Sequence, residues 1–244
     1  MITAALTGHP ENVVGQAAQH VLPVEIPDIG RSPGIRNYAA SLLGLYLLAI
    51  RIGEIKNRFH NLEANAIRKE LEELGDIVEN TIAASQAPAK AAANCVKDVP
   101  ILMFVGSGPS YGTAMFSAAK VVEAAGVFSM GQDLEEWAHV ERFAYPMDTP
   151  TIVIAPPGRS YWRAVDLVKI AKKLGRRIIA VVKEDDQEIA PLADFVFPVL
   201  GDVREEFSPL AYFGATTLFA HFLADGLGRK CFQSDNPVVA QAMM

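Results

Sequence analysis

Cysteine and histidine are scarce in this sequence, and neither is spaced for metal binding. The 244 residues include two cysteines and five histidines. Cys95 and Cys231 lie far apart, with no Cys-x-x-Cys pair and no adjoining histidine. A disulfide framework and a zinc site are therefore not expected. We expect unpaired thiols in a reducing cytoplasm and no bound metal.

Basic runs and long apolar runs are also missing. The net charge of −6 is spread along the chain, and the lack of a basic stripe with interleaved aromatics argues against nucleic acid as a main partner. No signal peptide is predicted. The longest apolar stretch, residues 38–50, lies between Arg36 and Arg51 and is too short to span a bilayer. We expect it to form a buried helix in a soluble, cytoplasmic protein with no membrane partner.

What is present is a chain that is 50% hydrophobic and 20% charged, which is enough for a substantial core. The first part predicts a strand at 2–6, a short helix at 11–20, a second strand at 21–26 and a loop at 27–33 rich in proline, glycine and serine. Apolar residues at helical spacing then predict three helices, over 34–59, 62–85 and 87–96.

From residue 98 onward, strands and helices alternate. Strands are predicted over 101–105, 127–130, 151–155, 177–182 and 194–199, with helices over 110–125, 134–139, 161–174 and from 208. Uninterrupted apolar strands in such an alternation predict an α/β fold with a parallel sheet covered on both faces. Ligands of such sheets bind at the carboxyl ends of the strands.

The turn after the first of these strands reads Gly106-Ser107-Gly108-Pro109-Ser110. It has no third glycine for a dinucleotide fingerprint and no Gly-Lys-Ser/Thr for a phosphate loop, so no nucleotide cofactor is predicted. Two interpretations remain open. The backbone N–H groups of the turn bind a small ligand, or the turn is only structural, with Ser110 as the N-cap of the helix.

Two pairs of ionisable residues follow at a spacing of three. Lys120 and Glu123 share one helix face, and Glu136 and His139 repeat the spacing beside Trp137. Exposed ion pairs and a structural histidine are one interpretation. The other is functional, because the helix around Lys120 is mostly apolar and a carboxylate in a partly dry cleft suits proton transfer.

A second strand-to-helix turn contains Arg159 and Ser160. They either hold a phosphate through the guanidinium and the helix N-terminus, or Arg159 simply faces solvent.

Together these motifs resemble the sugar isomerase (SIS) domain family, in particular the isomerase part of glucosamine-6-phosphate synthase and the fructosamine-6-phosphate deglycases. The second SIS domain of those proteins has a G-x-G-x-S-Y turn, a helix with Lys and Glu three apart, and a Glu-x-x-His segment. The same pattern is present without gaps in Gly106, Gly108, Ser110, Tyr111, Lys120, Glu123, Glu136 and His139. Residues 34–54 similarly resemble the helix that leaves the first SIS domain.

The resemblance implies a flavodoxin-like, three-layer fold and a phosphorylated sugar or amino sugar as substrate, converted by proton transfer between C1 and C2 without a cofactor. Glu123 matches the base, and His139 matches a residue that assists ring opening and is often supplied across a dimer interface. Lys120 and Glu136 support them, and the protein is expected to be a homodimer or larger. The implied substrate-binding residues are Gly106, Ser107, Gly108, Ser110, Tyr111, Arg159 and Ser160.

Two departures from the family pattern qualify this expectation. Residues 235–242 lack the lysine with which aminotransferase members form an imine, which favours deglycase-like or other amino-sugar chemistry.

The serine-rich phosphate loop of the first SIS domain has no counterpart in this sequence. We therefore expect residues 1–60 to be the remnant of a first SIS domain, 61–97 a helical connector and 98–244 a complete second SIS domain. The chain is then a truncated product, a late-start gene model or half of a split protein. A non-catalytic phosphosugar-sensing module and an inert fragment are the alternatives.

Overall fold

The computed structural model describes residues 2–27, 30 and 32–242, and it divides into two compact units, Met1–Glu73 and Leu74–Met244. The predicted loop at 27–33 lies partly outside the described residues. The boundary between the units falls within one long helix.

The first unit begins with two short parallel strands. Its elements are β1 (Ala4–Thr7), α1 (Val13–Ala17), β2 (His20–Pro23) and α2 (Ile35–Ile55). β1 pairs with β2, so the predicted strand–helix–strand order is confirmed with shorter elements. α1 begins after Asn12, whose side chain accepts a hydrogen bond from the N–H of Gly15 at 2.8 Å, as an N-cap asparagine does.

The prediction that residues 38–50 form a buried helix is wrong. They belong to the 21-residue α2, of which only Ile50 and Gly53 are buried. Leu45 and Ile55 are 52% and 67% exposed, because two four-residue strands cannot cover a helix of that length. By length and composition α2 could cross a membrane, but a single such helix near the N-terminus is weak evidence for a membrane span.

The predicted break at residue 86 is also wrong, since one helix, α3 (Asn61–Val96), replaces two and contains Pro88. A proline inside a helix removes one hydrogen bond and costs about 3 kcal/mol. The next two turns continue because they are tightly packed: Ala89, Ala92, Ala93 and Val96 are at most 1% exposed.

The second unit contains the predicted parallel sheet. Its strands are β3 (Ile101–Gly106), β4 (Phe128–Asp133), β5 (Thr151–Ile154), β6 (Ile178–Lys183) and β7 (Phe195–Val199). All are parallel, in the order β4-β3-β5-β6-β7. Its further helices are α4 (Pro109–Ala125), α5 (Leu134–His139), α6 (Tyr161–Lys173), α7 (Ser208–Ala211), α8 (Phe213–Gly226) and α9 (Pro237–Ala242).

The helices cover the sheet on both faces. Trp137 of α5 and Val165 of α6 share one core cluster with Met103 and Val105 of β3. α4 instead packs beside α8, where Phe116 meets Phe213 edge to face. The connection from β3 to β4 and the one from β4 to β5 run in opposite directions, so right-handed crossovers place α4 and α5 on opposite faces.

Asp194 joins the end of α6 to the start of β6. Its carboxylate accepts hydrogen bonds from Lys172 Nζ at 2.8 Å and from the N–H of Ile178 at 2.7 Å. Burial raises the pKa of Asp194, but the two donors together lower it by more than burial raises it. The pKa of Asp194 therefore lies below the ordinary value of 3.8.

We predict that Asp194→Asn lowers the free energy of unfolding by about 1.5–3 kcal/mol at pH 7, the range for hydrogen bonds to charged groups. A lowered folded-state pKa contributes stability that is present above pH 3.8 and is lost as the pH falls through the folded value. Urea unfolding from pH 7 to pH 3 should therefore show the difference between variant and parent shrinking. The control is Asp202→Asn, which removes a carboxylate that is 94% exposed and should change little. A pH-independent difference for Asp194→Asn would contradict the prediction.

Candidate functional site

The turn after β3 depends on two glycines. A Cβ on Gly106 would lie 2.4 Å from the carbonyl oxygen of Ser110, and Gly108, the N-cap of α4, has a φ of +56°. The helix begins at Pro109, so the prediction of Ser110 as N-cap is wrong. Gly108, with its positive φ, places proline at the first helical position. The buried Oγ of Ser110 has no hydrogen-bond partner among the described residues. Tyr111, one position on, is partly buried.

Ser107 connects the turn to the neighbouring strand. Its Oγ donates a hydrogen bond to Asp133 Oδ2 at 3.1 Å, and Asp133 pairs in register with Gly106. The other oxygen of Asp133 accepts from the N–H of Glu135 at 2.9 Å and so caps α5. The carboxyl ends of β3 and β4 are thereby held together.

A cleft of about 360 Å³ opens at this edge of the sheet. It lies where the chain leaves β3 and β5 for helices on opposite faces, the place where α/β sheets bind ligands. Its walls are Ser107, Gly108, Pro109, Arg159, Ser160, Glu205 and Glu206. The structure therefore brings together the two turns that the sequence singled out.

The helix N-terminus that was predicted to bind a phosphate in this cleft is already bonded to a carboxylate of the chain itself. The backbone N–H of Arg159 donates to both carboxylate oxygens of Glu205, at 3.1 and 3.2 Å. A Cβ on Gly158 would lie 2.3 Å from Glu205 Cδ, so the glycine gives the carboxylate its space. The side chain of Arg159 is exposed. A phosphate at this turn would have to displace Glu205.

Lys120 and Glu123 form the contact that their spacing predicts. Lys120 Nζ lies 2.5 Å from Glu123 Oε2 and 5.0 Å from the centre of the Phe116 ring. The lysine side chain is only 11% exposed, whereas that of Glu123 is 32% exposed. Lysine is seldom so buried without a partner, so the pair is a partly desolvated ammonium beside an accessible carboxylate.

This pair is remote from the cleft. Glu123 lies 14 residues beyond Pro109 on α4, which is about 21 Å along the axis at 1.5 Å per residue. Because α4 returns from the carboxyl ends of the strands to their amino ends, the cleft and Glu123 lie at opposite edges of the sheet. An open-chain hexose phosphate cannot reach both.

Glu136 and His139 lie on α5, on the opposite face of the sheet from α4, and both are exposed. His139 Nδ1 is 2.7 Å from the carbonyl oxygen of Glu135. Since a carbonyl only accepts, Nδ1 carries the proton and Nε2 is the nitrogen presented to solvent. Arg163 of α6 donates two hydrogen bonds to the carboxylate of Glu135, one of them 2.8 Å long. These bonds hold the pKa of Glu135 below its usual value. One chain therefore does not bring Glu123 and His139 together.

Sequence reasoning missed Asp133, Glu205 and Glu206. The position of Asp133 at the end of a predicted strand was a usable signal, because the carboxyl ends of neighbouring parallel strands meet at one edge. Glu205 and Glu206 come from a 3-10 turn, Glu205–Phe207, and no motif connects them with the turns that they face. Among the residues that the structure describes, no cluster of three or more His, Cys, Asp or Glu could hold a metal ion.

Comparisons with known proteins agree with this architecture. No family model matches the sequence. The chain is 26% identical over 218 residues to the glutamine–fructose-6-phosphate aminotransferase (isomerizing) of Methanothermobacter thermautotrophicus, covering 87% of this chain and 35% of that protein. The C-terminal domain of glucosamine-fructose-6-phosphate aminotransferase from Francisella tularensis superposes with a TM-score of 0.77 at 16% identity, over 90% of this chain and 62% of that one. Tagatose-6-phosphate ketose/aldose isomerase from Escherichia coli gives 0.65 at 13% identity, over 93% and 61%.

These structural similarities define the fold: the chain has the parallel-sheet α/β fold of sugar isomerase (SIS) proteins, as predicted. Its homologues are the isomerase-domain segments of glutamine–fructose-6-phosphate aminotransferases. The chain spans just over a third of the length of those curated relatives.

We predict that Gly106→Ala destabilises the protein by about 1–3 kcal/mol, the usual range for forcing atoms into packed space. The new Cβ would collide with backbone atoms of Ser110, which cannot move without shifting the start of α4. The matched control is Gly112→Ala, because Gly112 is exposed within α4 and has no atom within 4 Å of its Cβ position. That change should stabilise the helix slightly. Equal effects of the two substitutions in thermal unfolding would refute the packing argument.

Proposed function

We propose that this chain supplies the proton-transfer groups of a phosphosugar isomerase-type enzyme, with Glu123 as the base. The observation that carries the proposal is the contact of Lys120 with Glu123, a buried ammonium against an accessible carboxylate. It occurs in a chain whose fold and homologues are those of SIS phosphosugar isomerases.

The chemistry of the pair suits proton transfer between adjacent carbons. A carboxylate takes the proton from one carbon of an open-chain sugar and returns it to the next carbon, provided that it reaches both. Removal of the proton places negative charge on the neighbouring oxygen. A fixed ammonium in a partly dry site stabilises such charge more than water does. We assign that role to Lys120, whose position is set by Glu123 and Phe116.

His139 completes the site from a second copy of the chain. It lies on the opposite face of the sheet from Glu123, so one chain cannot use both residues on the same sugar. The exposed Nε2 of His139 is suited to accept or donate the proton that moves during ring opening. Glu136, on the same exposed surface of α5, supports it. We therefore propose a soluble, cytoplasmic homodimer or larger homo-oligomer.

The phosphate of the sugar is bound away from the cleft described above. The cleft is about a helix length from Glu123, and the amide of its second turn is used by Glu205. We propose that a further SIS domain provides the phosphate site, as the resemblance implies. No lysine occurs in residues 235–242, which supports isomerase-like or deglycase-like chemistry over amino transfer.

The test of the base is solvent exchange. The assay uses fructose 6-phosphate at a concentration high enough to compensate for weak binding in the absence of the further phosphate-binding domain. In D₂O the protein should then incorporate deuterium at C1 of the sugar, measured by proton NMR. Glu123→Gln should reduce the rate at least 100-fold, because general-base catalysis contributes about 10²–10⁴-fold. Glu79→Gln changes an exposed carboxylate of α3 and should leave the rate unchanged. If the Glu123→Gln variant still incorporates deuterium at the parental rate, Glu123 is not the base.

Complementation tests the shared site. Glu123→Gln and His139→Ala should each be inactive alone, yet a mixture of the two should recover up to about a quarter of the parental rate, because half of the dimers are mixed and each has one intact site. The measurement is the same deuterium incorporation after subunit exchange. A mixture as inactive as its components would contradict a site shared between copies.

The cleft supports a second candidate, a binding module without chemistry. Its walls and its volume of about 360 Å³ fit a small ligand. Calorimetric titration with fructose 6-phosphate, in the parent and in Arg159→Ala, separates the two functions. Binding that needs Arg159, without any deuterium incorporation, would favour the module.

A further inference from the structure

The last turn of α4 is held by a segment from far along the chain. Residues 229–233, here called the α4 strap, follow α8 and include the 3-10 turn Cys231–Gln233. Arg229 Nη1 donates to the carbonyl oxygen of Ala125 at 2.7 Å. The thiol of Cys231 donates to the carbonyl oxygen of Glu123 at 3.5 Å. Two carbonyls that the end of a helix leaves unpaired are thereby satisfied.

A third contact involves the residue that ends the helix. Gly126 has a φ of +62°, and its N–H bonds back to the carbonyl oxygen of Val122. A Cβ on Gly126 would lie 2.6 Å from Gln233 Nε2, so the side chain of Gln233 occupies the space that the glycine leaves. The strap therefore contacts Glu123, Ala125 and Gly126, the last turn of the helix that carries the proposed base.

The strap is strained where it makes these contacts. Phe232 and Gln233 have φ values of +56° and +47°, in the left-handed region that residues with a side chain rarely adopt. Such conformations persist where the surrounding structure imposes them, and they are concentrated at functional sites. Glycine would relieve the strain at either position, yet the chain has phenylalanine and glutamine there.

We infer that the α4 strap is a positioning device for Glu123, an inference that rests on the proposed function. The end of a helix frays unless its carbonyls are satisfied, and Arg229 adds a positive charge where the helix dipole is negative. The strap thereby fixes the direction in which Glu123 leaves the helix and its distance from Lys120. Arg229, Cys231 and Gln233 act through Glu123 and not on the sugar itself.

The decisive variant is Gln233→Gly, since it relieves the strain and removes the contact with Gly126 together. If the strap positions Glu123, this variant melts at the parental temperature or above it, while kcat for deuterium incorporation into fructose 6-phosphate falls about 10- to 100-fold, the loss expected from small misplacement of a catalytic group. KM should change less than about twofold, because the strap does not bind the sugar.

A second pair of variants tests the charge at the end of the helix. Arg229→Ala should lower kcat, and Arg229→Lys should restore part of it, since a lysine still places a positive charge beside the carbonyls of α4. The matched control is Lys173→Ala, which removes an exposed cation from the last turn of α6, outside the strap, and should leave kcat unchanged.

The outcomes separate this inference from the function on which it rests. If Glu123→Gln abolishes exchange while Gln233→Gly retains full kcat, the strap is only structural and the inference is overturned. A parallel fall of kcat and melting temperature in Gln233→Gly also overturns it, because loss of fold then explains the loss of rate. Absence of exchange in the parent overturns the proposed function and, with it, the positioning role.

Discussion

Right-handed crossover between parallel strands is the constraint on which the arrangement of this protein depends. β3 lies between β4 and β5, so the chain must leave it in one direction and return past it in the other. That reversal places α4 and α5 on opposite faces. Glu123 and His139 are separated as a consequence, although they are only 16 positions apart in the sequence. A site that uses both must be built from two copies.

The two edges of the sheet carry different chemistry. At the carboxyl edge, the turns after β3 and β5 meet in a cleft, and a carboxylate of the chain itself, Glu205, accepts from the backbone N–H of Arg159. At the amino edge, the last turn of α4 presents Glu123 beside a nearly buried lysine, and residues 229–233 satisfy its carbonyls. The second arrangement holds an accessible carboxylate against a fixed cation, which supports the proposed proton transfer.

Local patterns in the sequence predicted local structure well. The three-residue spacing of Lys120 and Glu123 correctly placed them in contact, and α5 has the predicted bounds. The helix through Pro88 was missed because its continuation depends on the burial of Ala89 and Ala92 in the folded unit. Glu205 was missed because it is 46 positions from its partner Arg159. The separation of Glu123 from His139 depends on strand order, which no periodicity encodes.

We propose that the reacting carbons of a phosphosugar lie at the last turn of α4 and not in the cleft. The most direct test is a titration of the isotopically labelled protein with fructose 6-phosphate, followed by backbone amide NMR. The account predicts chemical shift changes centred on residues 120–126 and 136–139, with none at residues 107–110 or 159–160. Changes confined to residues 107–110 and 159–160, with the end of α4 unaffected, would contradict it.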